Sequence, residues 1–563
     1  MRRNAFFAPL SGQAGLKGGW ESREGRGTEP FVEVSWDEAF ELLAVELRRV
    51  IDTHGNDAIF GGSCGWASAG RFHHSVGHLH RFLNVLGGYV RSVDSYSFGA
   101  GSVILPHIIA PIDVVLANSD SWDTLVQNTR LIVSFGGMPA KTTQNESGGA
   151  GRHRHRDAMA GLVERGVRIV NVGPNREDTE PGAHAEWLPI RPNTDTALML
   201  ALAHGVVEDG RHDKDFLATH CIGWERLDAY LFGHVDGIVK DAAWAAGITG
   251  APRETIEELA SALGRERTLV TAMWSLQRAH HGEQPFWAVV ALAAVLGQIG
   301  LPGGGFSLGY GATNSIGHRS ARFSGPTLPQ GRNAVDAFIP VARIADMLEH
   351  PGELFDYNGR SHRFPDIRLI YWAGGNPFHH HQDLYRLTKL WRKPDTVVAH
   401  EQFWNAHAKM ADIVLPATTT LERDDIGFSA REAHIVAMRR LLPPAGEALD
   451  DFEIFRGLAE RLGVAGSYTE GRDAKGWLRV LYDDARPRAI AAGVELPEFE
   501  AFWASGIIDF EGTPAPETFL RSFREDPAAN PLKTPSGKIE IWSETIDGFG
   551  YSDWGRCPAG RPG

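Results

Sequence analysis

Cysteine is scarce in this chain: Cys64, Cys221 and Cys557 are the whole supply in 563 residues. Three well-separated thiols cannot build a disulfide framework. They also fall short of the four thiolates that usually hold an iron–sulfur cluster. A reducing compartment is the expectation, and so a cytoplasmic protein. Positive charge is in deficit too. The formal net charge is -14, with no polybasic run, which argues against nucleic acid or a membrane surface as partner. The one dense basic cluster, Arg152-His153-Arg154-His155-Arg156, reads as a solvated helix start, with a phosphate contact as the sharper alternative. Long apolar runs are missing. The most hydrophobic stretch, 285–300, contains Gln298 and is shorter than the roughly 20 residues of a membrane span. It is expected as a buried core helix. Met1-Arg2-Arg3 before Phe6-Phe7 looks like the start of a twin-arginine export signal, but APLSGQAGLKGGW lacks the apolar region such a signal needs. A periplasmic location would require an export signal from a missing N-terminus.

What is present is alternation of strand, glycine turn and helix, without tandem repeats. TRLIVSFGG (129–137), RHRDAMAGLVERG and VRIVNVGP (167–174) read as a βαβ unit with a right-handed crossover. Thr194 and Asp195 offer an N-cap to the apolar helix that follows. RTLVTAMWS (267–275) is a further buried strand. IRLIYWAGG (367–375), DTVVAHEQ (395–402) and ADIVLPA (411–417) form a second set, each ending in a polar loop where open α/β sheets bind ligands. The reading is two doubly wound α/β domains. One joins 35–115 with 330–470, the other spans 120–325, and 471–563 is a peripheral wrap. The chain is expected to open in irregular sequence with no first strand, and its end suggests a truncated chain.

Four separated signatures carry the chemistry: GGSCGWASAGRFHH (61–74), VDSYSFGAG (93–101), WAGGNPFHHHQD (372–383) and ADIVLPATTTLERDD (411–425). With GQIGLPGGGF (297–306), they resemble the molybdenum enzymes of the dimethyl sulfoxide reductase family, on the biotin sulfoxide and trimethylamine N-oxide reductase side. That resemblance implies two α/β domains of the family type, with its N-terminal strand region and C-terminal β-rich domain lacking here. It implies molybdenum held by bis(molybdopterin guanine dinucleotide), and reduction of an S-oxide or N-oxide by oxygen-atom transfer. With no iron–sulfur cluster, electrons come from a separate donor protein or reduced nicotinamide. The alternatives are an inactive, truncated remnant and a chain that binds dinucleotide without turnover.

Residue by residue, Ser97 matches the family's metal ligand; a turn hydrogen bond is its ordinary reading. Trp66 matches an indole that donates to the transferred oxygen, since indole is a donor only. Cys64 stands where dimethyl sulfoxide reductases carry a tyrosine, which leaves substrate preference open. Trp274, Gln277 and Arg278 match a W-x-x-Q-R run, and Arg278 is a handle for an anionic substrate. Gly136, Gly137, Gly374, Gly375 and Asn376 are candidates for cradling diphosphates, with His380, Gln382 and Asp383 in the same loop. Pro174, Arg176 and Thr179 match the family's nucleotide loop, although Gly173 replaces its ribose-binding aspartate. Asp195 and Glu422 are expected to accept from guanine N–H groups, with Asp412 and Arg423 as weaker candidates.

Overall fold

Apolar runs flanked by glycine turns form strands buried along their whole length. Leu131–Phe135, Thr268–Ala272 and Leu369–Ala373 contain no exposed residue, as a parallel sheet covered by helices on both faces requires. The computed structural model describes residues 2–3, 23–63, 70–146, 148, 151–178, 182, 184–318, 321–429, 432–510 and 517–551. Over these residues the chain is a mixed α/β protein with two large, mainly parallel sheets and three minor ones.

The larger sheet has the spatial order Phe338–Pro340, Val90–Val93, Ile59–Gly62, Leu369–Ala373, Thr396–Glu401, Ile413–Pro416, Arg2–Arg3, Phe31–Val32. Its first six strands run parallel. The last two add on antiparallel, so the chain does open with strands, contrary to expectation. Alternation along Leu369–Ala373 sends Tyr371 to one core and Ile370 with Trp372 to the other. The smaller sheet is wholly parallel, in the order Gly305–Leu308, Thr268–Ala272, Leu131–Phe135, Arg168–Val172, Glu186–Leu188.

The helix Gln284–Val295 is buried at every position, as its uniformly apolar sequence demands. Its Trp287 indole still finds an acceptor, donating to the Glu540 carbonyl at 2.9 Å. Helix Asp195–Glu208 starts after Thr194, but the Thr194 hydroxyl donates back to the Arg191 carbonyl instead of accepting from the helix. The stretch expected as a wrap includes an 18-residue helix, Ala474–Ala491, which sinks Trp477, Leu481 and Tyr482 into one core of the larger sheet. Among the described residues no helix is long and apolar enough to cross a membrane.

Candidate active site

A cleft of about 850 Å³ opens where loops from the carboxyl ends of both sheets meet. Val90–Val93 delivers the loop 94–97, and Thr268–Ala272 leads to Gln277 and Arg278. Leu369–Ala373 leads to His379, His380 and Gln382, and Phe338–Pro340 supplies its last residue. Ligand sites of open α/β sheets lie at such carboxyl ends. The structure therefore brings Ser97, Gln277, Arg278, His380 and Gln382 together from three distant segments.

The Ser97 loop is fastened at nearly every residue. Asp94 takes a left-handed conformation (φ 68°), and its carboxylate accepts from the Tyr357 hydroxyl at 3.0 Å. Burial raises the Asp94 pKa above the ordinary value. The Tyr96 hydroxyl donates to the Val341 carbonyl at 2.6 Å and lies 3.0 Å from His381 Nδ1. The Tyr96 carbonyl accepts from Gln277 Nε2 at 3.1 Å and Arg278 Nε at 3.2 Å. Ser97 donates its backbone N–H to Ser95 Oγ at 3.1 Å; among the described residues no hydrogen bond involves its own hydroxyl. Helix Gly99–Ile108 begins two residues later, and its N-terminal dipole favours negative charge nearby. Tyr96 and Tyr357 are the residues that sequence reasoning missed. Tyr96 lies inside the SYSFGAG run, but nothing local marks it as an anchor.

Other expected residues stand apart from this cleft. Gly136 and Gly137 follow strand Leu131–Phe135 with φ of 84° and 93°. A side chain there would strike Leu276 and Met273, or Asp178, so these glycines serve close packing within the protein. Gly374 and Gly375 also have positive φ, and their carbonyls accept from the Trp372 indole. Asn376 is buried, and its side-chain oxygen caps Phe378 at 3.0 Å while its Nδ2 finds no partner. Trp274 is buried edge-on to Phe98, with an unpartnered indole N–H. Pro174 and Arg176 lie exposed on the loop after Arg168–Val172. Asp195 is 8% exposed, and burial pushes its pKa up to about 6. Trp66, Cys64, Thr179 and Cys557 lie outside the described residues.

Several expected carboxylates have protein partners instead. Asp412 forms a fully buried ion pair with Arg26 at 2.5 Å and accepts from the Val397 N–H at 2.8 Å. Arg423 donates to the Thr418 carbonyl and approaches Asp451. Glu422 closes a capping box: Oε2 accepts from Thr419 N at 2.6 Å and Oε1 from Ala445 N at 2.7 Å. Those bonds draw its pKa down, the Thr419 amide most. Asp383 caps helix Leu384–Leu390 by accepting from Arg386 N at 3.1 Å. Each of these four side chains therefore has a partner within the fold.

Comparison with known proteins adds identity to this geometry. The family model described as Molybdopterin oxidoreductase matches residues 15–461. The chain is 49% identical over 542 residues to a biotin sulfoxide reductase of Cereibacter sphaeroides, covering 95% of this chain and 72% of the relative. It is 43% identical over 560 residues to a dimethyl sulfoxide/trimethylamine N-oxide reductase of Rhodobacter capsulatus, covering 96% and 67%. The solved structure of acetylene hydratase from Pelobacter acetylenicus superposes with a TM-score of 0.61 at 18% identity, over 95% of this chain and 70% of that one. This last likeness concerns the fold alone.

Proposed function

The chain belongs to the molybdopterin oxidoreductase family, and from that premise we propose that it reduces an S-oxide or N-oxide at molybdenum held by two molybdopterin guanine dinucleotides. The observation that carries the reading is the cleft that gathers Ser97, Gln277, Arg278, His380 and Gln382 at the carboxyl ends of both sheets. Relatives with names of this activity match across almost the whole chain, which disfavours the inactive-remnant alternative.

The residues present fit such a group. Among the described residues the Ser97 hydroxyl has no partner, and it sits near a helix N-terminus that stabilises its deprotonated form. Hard oxygen ligands suit a high-valent metal. The unpartnered Asn376 Nδ2 and Trp274 Nε1 are donors awaiting acceptors, as phosphate and pterin oxygens provide. Asp195 is a buried carboxylate that accepts from its own backbone N–H, and among the described residues no side chain donates to it. Guanine offers N–H donors that would relieve this. When bound, the cofactor supplies two-electron oxygen-atom transfer.

The protein's own part is placement. Ser97 would hold the metal through its side-chain oxygen, and the fastened loop fixes where that oxygen sits. Arg278 lines the cleft and would orient an anionic group on the substrate. By the resemblance, Trp66 would be a hydrogen-bond donor to the substrate oxygen. Reducing equivalents come from a separate donor protein or reduced nicotinamide.

The test is anaerobic oxidation of a reduced viologen by biotin sulfoxide, dimethyl sulfoxide and trimethylamine N-oxide, with metal and guanine analysis of the same sample. Turnover together with molybdenum and guanine near the stoichiometry of two dinucleotides per metal supports the reading. A folded sample that takes up molybdenum cofactor yet reduces none of the three overturns it.

A further inference from the structure

Building on the reading that Ser97 faces molybdenum, we propose that Gln277 is a positioning residue that clamps the Ser97 loop, and that its side chain serves the protein more than the cofactor. Gln277 ends the short turn Trp274–Gln277 after a strand of the smaller sheet. Its amide reaches across the cleft to a loop of the larger sheet. Nε2 donates to the Tyr96 carbonyl at 3.1 Å, and Oε1 accepts from the Ala100 N–H at 2.7 Å. The two bonds therefore bracket Ser97 on either side.

The second bond fills a specific vacancy in the helix. The first N–H groups of a helix have no acceptor within it. A serine, threonine, aspartate or asparagine at the N-cap normally provides one. Helix Gly99–Ile108 has Phe98 at that position, with no side-chain cap. Gln277 supplies the missing acceptor from another sheet. The amide side chain does both jobs, whereas an ionised carboxylate cannot donate to Tyr96 and an ammonium cannot accept from Ala100. Arg278 Nε adds a second donor to the Tyr96 carbonyl but reaches nothing on the helix side. A metal ligand must be held to within about 0.5 Å of its working geometry, and this clamp, joining two sheets, sets that tolerance for the Ser97 oxygen.

The test compares Gln277→Met, which keeps the shape without the hydrogen bonds, with Gln277→Glu, which keeps the acceptor. Amide exchange of the 94–103 segment is measured in the full chain produced without molybdate. The molybdenum X-ray absorption spectrum, metal content, kcat and KM are measured in the loaded protein. Gln277→Met is expected to speed exchange at Ala100 about tenfold, the usual worth of one such bond. Metal content should hold, kcat should fall with KM little changed, and the oxygen contribution to the metal spectrum should become disordered. Gln277→Glu should recover part of the exchange protection. Unchanged exchange and an unchanged spectrum in Gln277→Met overturn the clamp. Loss of molybdenum from Gln277→Met with unchanged exchange also overturns it, and makes Gln277 a cofactor contact. If Gln277→Met does not fold, the Gln277→Glu metal spectrum decides: loss of the Tyr96 bond should disorder the oxygen contribution, and an unchanged spectrum overturns the clamp. A wild-type protein that binds no molybdenum cofactor sinks the functional reading instead, while the exchange result still judges the clamp.

Discussion

At the residue scale, the buried and capping carboxylates differ in what holds them. Asp195, Asp383, Asp412 and Glu422 look alike in sequence, as acidic groups near strand or helix ends. Folding separates them, because Glu422 and Asp383 are taken by local N–H groups and Asp412 by Arg26 from 386 positions away. Asp195 is left buried, with no partner side chain among the described residues. Its folded pKa of about 6 lies above the ordinary value of 3.8. Below that ordinary value the group is neutral whether folded or not, and above about 6 only the folded chain bears a desolvated charge. Stability of the cofactor-free chain is thus expected to fall across this window as pH rises, by roughly 2–3 kcal/mol. Asp195→Asn should raise the urea midpoint at neutral pH more than at pH 5, and an equal effect at both values would refute the buried-charge assignment. Glu422→Ala is expected to lower stability by about 1–2 kcal/mol through loss of the capping box, read from the same denaturation curves.

At the element scale, buried strands announced themselves, since a strand covered on both faces must be apolar at every position. LIVSF, TLVTA and LIYWA satisfy this. Arg2–Arg3 is two charged residues and gives no periodic signal. Helix Ala474–Ala491 was missed because Pro487 interrupts it and charges line its outer face, although Trp477, Leu481 and Ala485 keep the helical spacing of its buried side. The helix Gln284–Val295 was legible from its continuous hydrophobicity. Trp287→Ala in that helix removes a fully buried indole and its bond to Glu540. The expected loss is about 3–5 kcal/mol, measured by chemical denaturation; a loss below about 1 kcal/mol would contradict the packing described.

At the scale of the whole molecule, the cleft exists because two independently wound sheets aim their carboxyl ends at one place. Sequence named Ser97, Gln277, Arg278, His380 and Gln382 through local motifs, but not that they share a cavity, since that depends on contacts between segments hundreds of residues apart. The Tyr96 anchors on Val341 and His381 were illegible for the same reason. Breaking the buried Arg26–Asp412 pair, which ties the N-terminal segment to the larger sheet, tests that long-range assembly. Arg26→Ala should cost about 3–5 kcal/mol by leaving a buried charge alone, seen as a lower denaturation midpoint. The central claim, a serine oxygen on the metal, has a direct measurement: molybdenum X-ray absorption of fully loaded wild-type and Ser97→Ala protein. The expected result is loss of one oxygen scatterer from the metal's surroundings, with turnover abolished or sharply reduced. An identical spectrum and undiminished turnover in Ser97→Ala would contradict it.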